Sequence, residues 1–447
     1  MKKKKKLFIA ARIIFEGYLL AILVGALLLY LPFSQSGKME VDFSDALFMA
    51  ASAVCVAGEA CLPIYAVWTG FGQFILLILQ EIGGLGIISF TMFFILIMGK
   101  RLDLRQYILI AEAYDLESYS HIREFIVKIL KTSLIIQLIG AFLYAFVFVP
   151  EYGVKGIWHS VFLSSSAFCN SGLDTLGADG LMPYMTNSYF VFVTIFLILA
   201  GGLGFPVWAF LAEGYNNFRK KEKRKLRANL TVKMSVYTGV FFLLIGFLAM
   251  LLFEWNNVET MQGMSIGQKM LCALFLSVTC RTAGFSVFPW HKLRTTSGIL
   301  ACSLMYIGAS PVGTAGGIKT TTFTVFIASV VSALRGRKDT ECFHRKIADP
   351  VVRRSAAIVM TNLFVIIIST VLFCAVQPEI PLMDSLFAVF TVGLTDLTLQ
   401  LLNDAGEIIL VLTMFFGRVG PITLSMLFNS RKNENLIKYP QENISIG

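Results

Sequence analysis

Apolar residues along this chain come in long blocks separated by short charged stretches. The blocks run at 12–32, 67–99, 124–149, 187–212, 231–253, 294–334, 355–376 and 405–428. Each reaches the roughly 20 residues that an α-helix needs to cross a bilayer. Eight spans are therefore predicted. Between the two members of each successive pair lies a shorter apolar segment, at 43–54, 156–166, 267–278 and 381–389. Such segments are too short to cross. They can enter the membrane and turn back only where their bare backbone meets protein or water. The sixth block is interrupted from Gly308 to Gly317, so it is not expected to be one straight helix.

Every short segment runs into a glycine loop of one local pattern. The loops are Ala53-Val54-Cys55-Val56-Ala57-Gly58, Ala167-Phe168-Cys169-Asn170-Ser171-Gly172, Thr279-Cys280-Arg281-Thr282-Ala283-Gly284 and Ala388-Val389-Phe390-Thr391-Val392-Gly393. Their glycines recur about every 110 residues, the mark of an internal repeat. The expected fold is an all-α polytopic membrane protein of four tandem units around one central pore, each a span, pore helix, filter loop and span. The units are expected at 1–105, 106–225, 226–345 and 346–430, with a cytoplasmic tail at 431–447.

The repeat suggests its own chemistry. A monovalent cation crosses hydrocarbon only where oxygen atoms replace its water, and consecutive carbonyl groups aimed at one axis can do this. The expected donors are Val56 and Ala57, Asn170 and Ser171, Thr282 and Ala283, and Thr391 and Val392. The adjoining Gly58, Gly172, Gly284 and Gly393 permit the backbone angles required. The short helices would turn their partly negative C-terminal ends to the same axis.

Composition and charge agree with a membrane protein. Hydrophobic residues are 56% of the 447 and charged residues 15%, against about 25% charged in a typical soluble domain. The net charge of +10 is not spread as in a nucleic-acid-binding protein. Its basic clusters lie at 2–12, 100–105, 219–227, 335–354 and 431–438, the two ends and the junctions between units. The opposite loops carry Glu40, Asp42 and Asp45, Glu151, Glu254 and Glu259, and Glu379 and Asp384. Positive loops stay in the cytoplasm, so both termini are expected there, in a multi-pass plasma-membrane protein. The N-terminal apolar run is too long for a cleaved signal peptide and reads as the first span. The eight cysteines offer neither a disulfide framework nor zinc-ligand spacing.

At its loops the chain resembles the Trk/Ktr/HKT superfamily of potassium and sodium transporters, most closely the pore-forming subunits of bacterial Ktr or Trk uptake systems. The residues that carry the resemblance are the third loop, 277–285, and the second, 166–174, with Gly201-Gly202-Leu203-Gly204-Phe205-Pro206, the stretch from Gly313 to Thr322, and Gly417-Arg418-Val419-Gly420-Pro421. There are departures. Cys280 stands where the family usually has proline, Cys169 where it has asparagine, and Cys55-Val56-Ala57-Gly58-Glu59 replaces a first loop of the type Thr-Val-Thr-Gly-Leu. The fourth loop continues unusually as Thr395-Asp396-Leu397. The resemblance implies a channel-like potassium transporter, with sodium as the alternative or additional ion. It also implies a homodimer of pore subunits, each with its own pore, controlled by a cytosolic ring of nucleotide-binding subunits. No Walker or Gly-x-Gly-x-x-Gly sequence occurs in the chain, so any nucleotide control would come from another chain.

Two features suggest a gate. The segment from Gly308 to Thr322 contains Gly313, Thr314, Ala315, Gly316, Gly317 and Lys319 inside an apolar block. Its backbone cannot face lipid, so it is expected to line a cavity or pack within protein; the alternative is a plain cytoplasmic turn. The resemblance implies an intramembrane loop below the filter. Arg418 lies in the last apolar block, where a guanidinium points inward or snorkels to the membrane face. Glu59 is expected at the outer mouth, either raising the local cation concentration or standing as an inert rim carboxylate. A membrane enzyme would need a clustered constellation that the four histidines do not form. A secondary transporter of another solute would be expected to show inverted repeats.

Overall fold

The computed structural model describes residues 2–87, 89–90, 122–177, 180–220, 228–286, 288–390, 402–421 and 423–424. Four of its helices are long and apolar enough to cross a membrane: Ala11–Tyr30 within Lys2–Tyr30, Glu124–Tyr152 within Ile122–Tyr152, Leu230–Glu254 and Asp349–Val376. They keep most of their side chains outside the protein core. On Ile122–Tyr152 the stripe Leu134, Leu138, Phe142 and Phe146 is exposed at four-residue spacing. A helix apolar on its outer face requires a lipid solvent.

The short helices form Phe43–Cys55, Val154–Cys169, Ile266–Thr279 and Leu382–Phe390. Local chemistry fixes their starts. The Ser265 hydroxyl accepts from Gln268 N (3.4 Å), and Gln268 Oε1 accepts from Ser265 N (3.1 Å), a capping box. Asp42 N donates to Asp45 Oδ2 at 2.8 Å in the first turn of Phe43–Cys55.

The return helices depart from expectation. The second, fourth and eighth apolar blocks are not continuous helices. Gly70–Leu85 ends at Gly86, Ser188–Gly202 ends just before Gly204, and Asp404–Val419 ends at Gly420. These three glycines have φ of 84°, 81° and 81° and ψ of 142°, 143° and 146°, a combination open to glycine almost alone. Across Gly204 the chain bends by 101° into Phe205–Arg219. The sixth block breaks as expected, into Thr295–Tyr306 and Thr320–Leu334. Hydropathy persists through each break, so block length overstated helix length.

Packing between helices is cyclic. Gly70–Leu85 packs on Val154–Cys169, Ser188–Gly202 on Ile266–Thr279, Thr295–Tyr306 on Leu382–Phe390, and Asp404–Val419 back on Phe43–Cys55. The last pairing joins the two ends of the chain. Among the described residues, most buried side chains gather in two large clusters, with a small further one of Met234, Val325 and Ile347. One of the two includes Phe168, Phe275, Phe285 and Trp290; the other includes Phe48, Trp68, Phe373 and Phe415. In the basic stretch 335–354 a two-stranded hairpin, Glu341–Cys342 with Arg345–Lys346, links Thr320–Leu334 to Asp349–Val376.

A buried carboxylate pins one end of the bundle. Glu254 is fully buried and accepts from Asn257 Nδ2 (2.6 Å), Thr260 Oγ1 (2.7 Å), Arg294 N (3.0 Å) and the Ser297 hydroxyl. A buried donor that loses its acceptor costs about 1–3 kcal/mol. Glu254→Ala leaves these donors without their acceptor. It should lower the thermal midpoint of the detergent-solubilised protein, at a cost of at least about 1–3 kcal/mol. A midpoint equal to the parent's would show that Glu254 is not a structural clamp.

Candidate functional site

Three of the four glycine loops lie within the described residues, and they meet. A Cβ placed on Gly58 would stand 3.0 Å from Gly284 Cα and 3.1 Å from Ser171 O. One on Gly172 would stand 2.8 Å from Gly284 Cα and 2.9 Å from Ala283 O. One on Gly284 would be 3.1 Å from both Gly58 Cα and Gly172 Cα. Residues far apart in sequence thus converge on one locus, each loop held at the C-terminal end of its short helix. The fourth loop, Thr391, Val392 and Gly393, lies outside the described residues.

The backbone of the three loops repeats in detail. Val56, Asn170 and Thr282 have φ of 59°, 57° and 67°, and Gly58, Gly172 and Gly284 have 83°, 72° and 79°. The residue between, Ala57, Ser171 or Ala283, does not share the positive φ. Alternating hand along a strand turns successive carbonyl groups toward one side, where an ordinary strand would alternate them. Left-handed geometry is an outlier for the β-branched Val56 and Thr282 and marks strain held by the surroundings. Sequence reasoning assigned positive φ to the glycines but had no signal for these two.

The segment from Gly308 to Thr322 packs directly against these loops. Thr314 Oγ1 accepts from Asn170 Nδ2 (2.8 Å) and donates to Phe168 O (2.9 Å). Gly316 N donates to Thr282 Oγ1 at 3.1 Å. Ser310 N and Thr314 N donate to Gly202 O and Gly201 O, each at 3.2 Å, and Phe205 N donates to Val312 O at 3.1 Å. Lys319 Nζ donates to Ala315 O at 2.6 Å. Gly308 and Gly317 permit close approach: a Cβ on Gly308 would lie 2.1 Å from Gly316 O. The segment satisfies its backbone within protein, as its composition required.

Arg418 belongs to the same assembly. Its Nη1 donates to Thr314 O at 3.2 Å, and its Nη2 donates to Gly83 O. It points inward. A cavity of about 100 Å³ is lined by Cys55, Val56, Ala57, Thr282, Gly316 and Arg418, between the loops and the interrupted segment. Glycines in the return helices make this approach possible. A Cβ on Gly201 would lie 1.8 Å from Phe168 O, one on Gly83 2.4 Å from Val54 O, and one on Gly84 2.6 Å from Cys169 Sγ.

The TrkH family of cation transport proteins matches residues 18–439. The chain belongs to that family. It is accordingly a multi-pass membrane cation transporter and not an enzyme. The chain is 35% identical to the potassium/sodium uptake protein NtpJ of Enterococcus hirae, over 100% of this chain and 99% of that protein. It is 32% identical to Ktr system potassium uptake protein B of Bacillus subtilis, covering 98% and 97%. Its fold resembles the potassium transporter TrkH from Vibrio parahaemolyticus, with a TM-score of 0.68 at 19% identity, covering 93% of this chain and 85% of that one.

One expectation fails. Glu59 is not a solvated rim carboxylate: it is fully buried, and neither carboxylate oxygen has a hydrogen-bond partner. Its backbone N–H donates to Ser52 Oγ at 3.0 Å, which draws the residue against the short helix Phe43–Cys55.

Proposed function

We propose that the chain is a channel-like potassium uptake protein whose four glycine loops form one selectivity filter. Potassium loses water to the carbonyls of Val56 and Ala57, Asn170 and Ser171, Thr282 and Ala283, and Thr391 and Val392, and moves down its electrochemical gradient. The observation that carries this reading is the convergence of Gly58, Gly172 and Gly284, with the preceding residues of each loop in one repeated backbone geometry. The cyclic packing supports four units, at 1–105, 106–225, 226–345 and 346–430, arranged around one axis with eight spans and both termini cytoplasmic. The relatives' names, which include potassium uptake, support the choice of ion.

The interrupted segment, Gly308, Gly313, Thr314, Ala315, Gly316, Gly317 and Lys319, together with Arg418, forms the gate below the filter. A cytosolic nucleotide-binding ring controls it, acting on a homodimer of these chains. A second reading, transport of sodium alone or with potassium, is favoured by the Enterococcus relative, named a potassium/sodium uptake protein. Growth rescue of a potassium-uptake-deficient bacterium, across potassium and sodium concentrations, separates the two. Rescue only when sodium is present would favour the second; no rescue at any concentration would remove potassium uptake.

Burial changes what Glu59 should do. A carboxyl buried with neither oxygen hydrogen-bonded is costly to ionise and favours its neutral form. Glu59→Gln, which replaces a neutral carboxyl by an amide of the same size, is therefore expected to leave the half-saturating potassium concentration within about twofold of the parent's at low and high ionic strength. A several-fold rise at both ionic strengths would show that Glu59 is ionised and attracts the cation. An effect confined to low salt would place its charge in open solvent instead.

A further inference from the structure

Three ligating side chains meet at the seam where the two ends of the chain pack together. Asp45 is in the first turn of Phe43–Cys55, Cys61 lies three residues past Gly58, and Glu407 is in the first turn of Asp404–Val419. One oxygen or sulfur atom from each lies within 4.8 Å of the other two. Cys61 is 7% exposed and Glu407 5%. Oε2 of Glu407 has no hydrogen-bond partner, so a buried ligand atom is left unpaired in this cluster. Asp42 and Asp404 stand close by and add negative charge. Among the described residues, neither Asp45 nor Glu407 forms an ion pair with a lysine or arginine.

Two carboxyl groups this close in a buried seam need a proton or a cation between them. We propose that the seam is a binding site for a thiophilic divalent cation, held by Cys61 Sγ and the carboxylates of Asp45 and Glu407. The donor set decides the class of ion. Magnesium and calcium take oxygen ligands, whereas a thiolate beside carboxylates suits zinc or cadmium, with a water in the remaining position. The Cys61 thiol donates to Asp45 O at 3.7 Å. Binding releases that thiol proton to solvent as the sulfur–metal bond forms. The ion would tie the first short helix to the last return helix, away from the cavity below the filter. The site does not depend on the transport reading, and its test needs no ion flux.

Cadmium titration of the purified, detergent-solubilised chain provides the test, followed by ultraviolet thiolate-to-metal absorbance and by calorimetry. One Cd²⁺ per chain is expected, with excess Mg²⁺ failing to displace it. Cys61→Ser should abolish the absorbance band and weaken binding by more than about 100-fold, beyond the loss typical of an outer-shell change. Glu407→Gln should weaken binding while keeping the band, since the sulfur remains. No cadmium binding by the parent chain, or unchanged affinity in Cys61→Ser, overturns the proposal. Should Cys61→Ser not purify as a folded protein, Glu407→Gln decides, and an affinity equal to the parent's overturns it.

Discussion

Gly172→Ser is expected to lower selectivity for potassium over sodium by at least about tenfold, corresponding to about 1.4 kcal/mol. Two independent strains act at this position. Its φ is 72°, which costs a residue with a Cβ about 1–2 kcal/mol. Its added Cβ would meet Gly284 Cα at 2.8 Å and Ala283 O at 2.9 Å. The first strain distorts its own loop, and the second pushes the third loop's carbonyl away from the axis. Selectivity rests on the number and placement of carbonyl oxygens around the ion, so both should favour the wrong ion. The same substitution at Gly58 or Gly284 should act alike, because each meets the other loops' backbone at 3.0–3.1 Å. Reversal potentials or paired potassium and sodium fluxes in liposomes measure it. Unchanged ion ratios in all three variants would remove these loops from the filter.

The short helices were legible because their signal is local. The expected segments 43–54 and 267–278 became Phe43–Cys55 and Ile266–Thr279, set by apolar length and by the glycine that follows. The return helices were less legible. Leu85-Gly86-Ile87 and Leu203-Gly204-Phe205 keep their hydropathy through the break, and hydropathy carries no information about φ. A cue did exist, since Gly83-Gly84-Leu85-Gly86 repeats Gly201-Gly202-Leu203-Gly204. That Arg418 either points inward or snorkels to the membrane face was legible from the cost of a charge in an apolar block. Its acceptors, Thr314 O and Gly83 O, were not, because they come from distant turns of chain. Burial of Glu59 and the meeting of Asp45, Cys61 and Glu407 are also non-local. The second arises where Asp404–Val419 packs on Phe43–Cys55.

Arg418→Ala is expected to raise basal potassium flux by at least about tenfold and to reduce its dependence on a regulatory partner. The guanidinium does two things in this structure. It places a fixed positive charge beside the cavity lined by Val56, Thr282 and Gly316, which in the proposed pore lies on the cation's path. It also holds the interrupted segment through Thr314 O and ties it to Gly83 O. Charge-assisted hydrogen bonds of this kind are worth about 1.5–3 kcal/mol each, so losing them shifts the balance toward the displaced segment. Thr314→Val separates the two effects. It removes the hydroxyl that joins Asn170 and Phe168 O to the segment but leaves the charge in place. A rise in flux from Arg418→Ala alone would assign the barrier to electrostatic repulsion. A comparable rise from both variants would assign it to the anchored segment. Flux in liposomes, with and without a regulatory subunit, distinguishes these cases. If neither variant conducts faster than the parent chain in either condition, the barrier lies elsewhere.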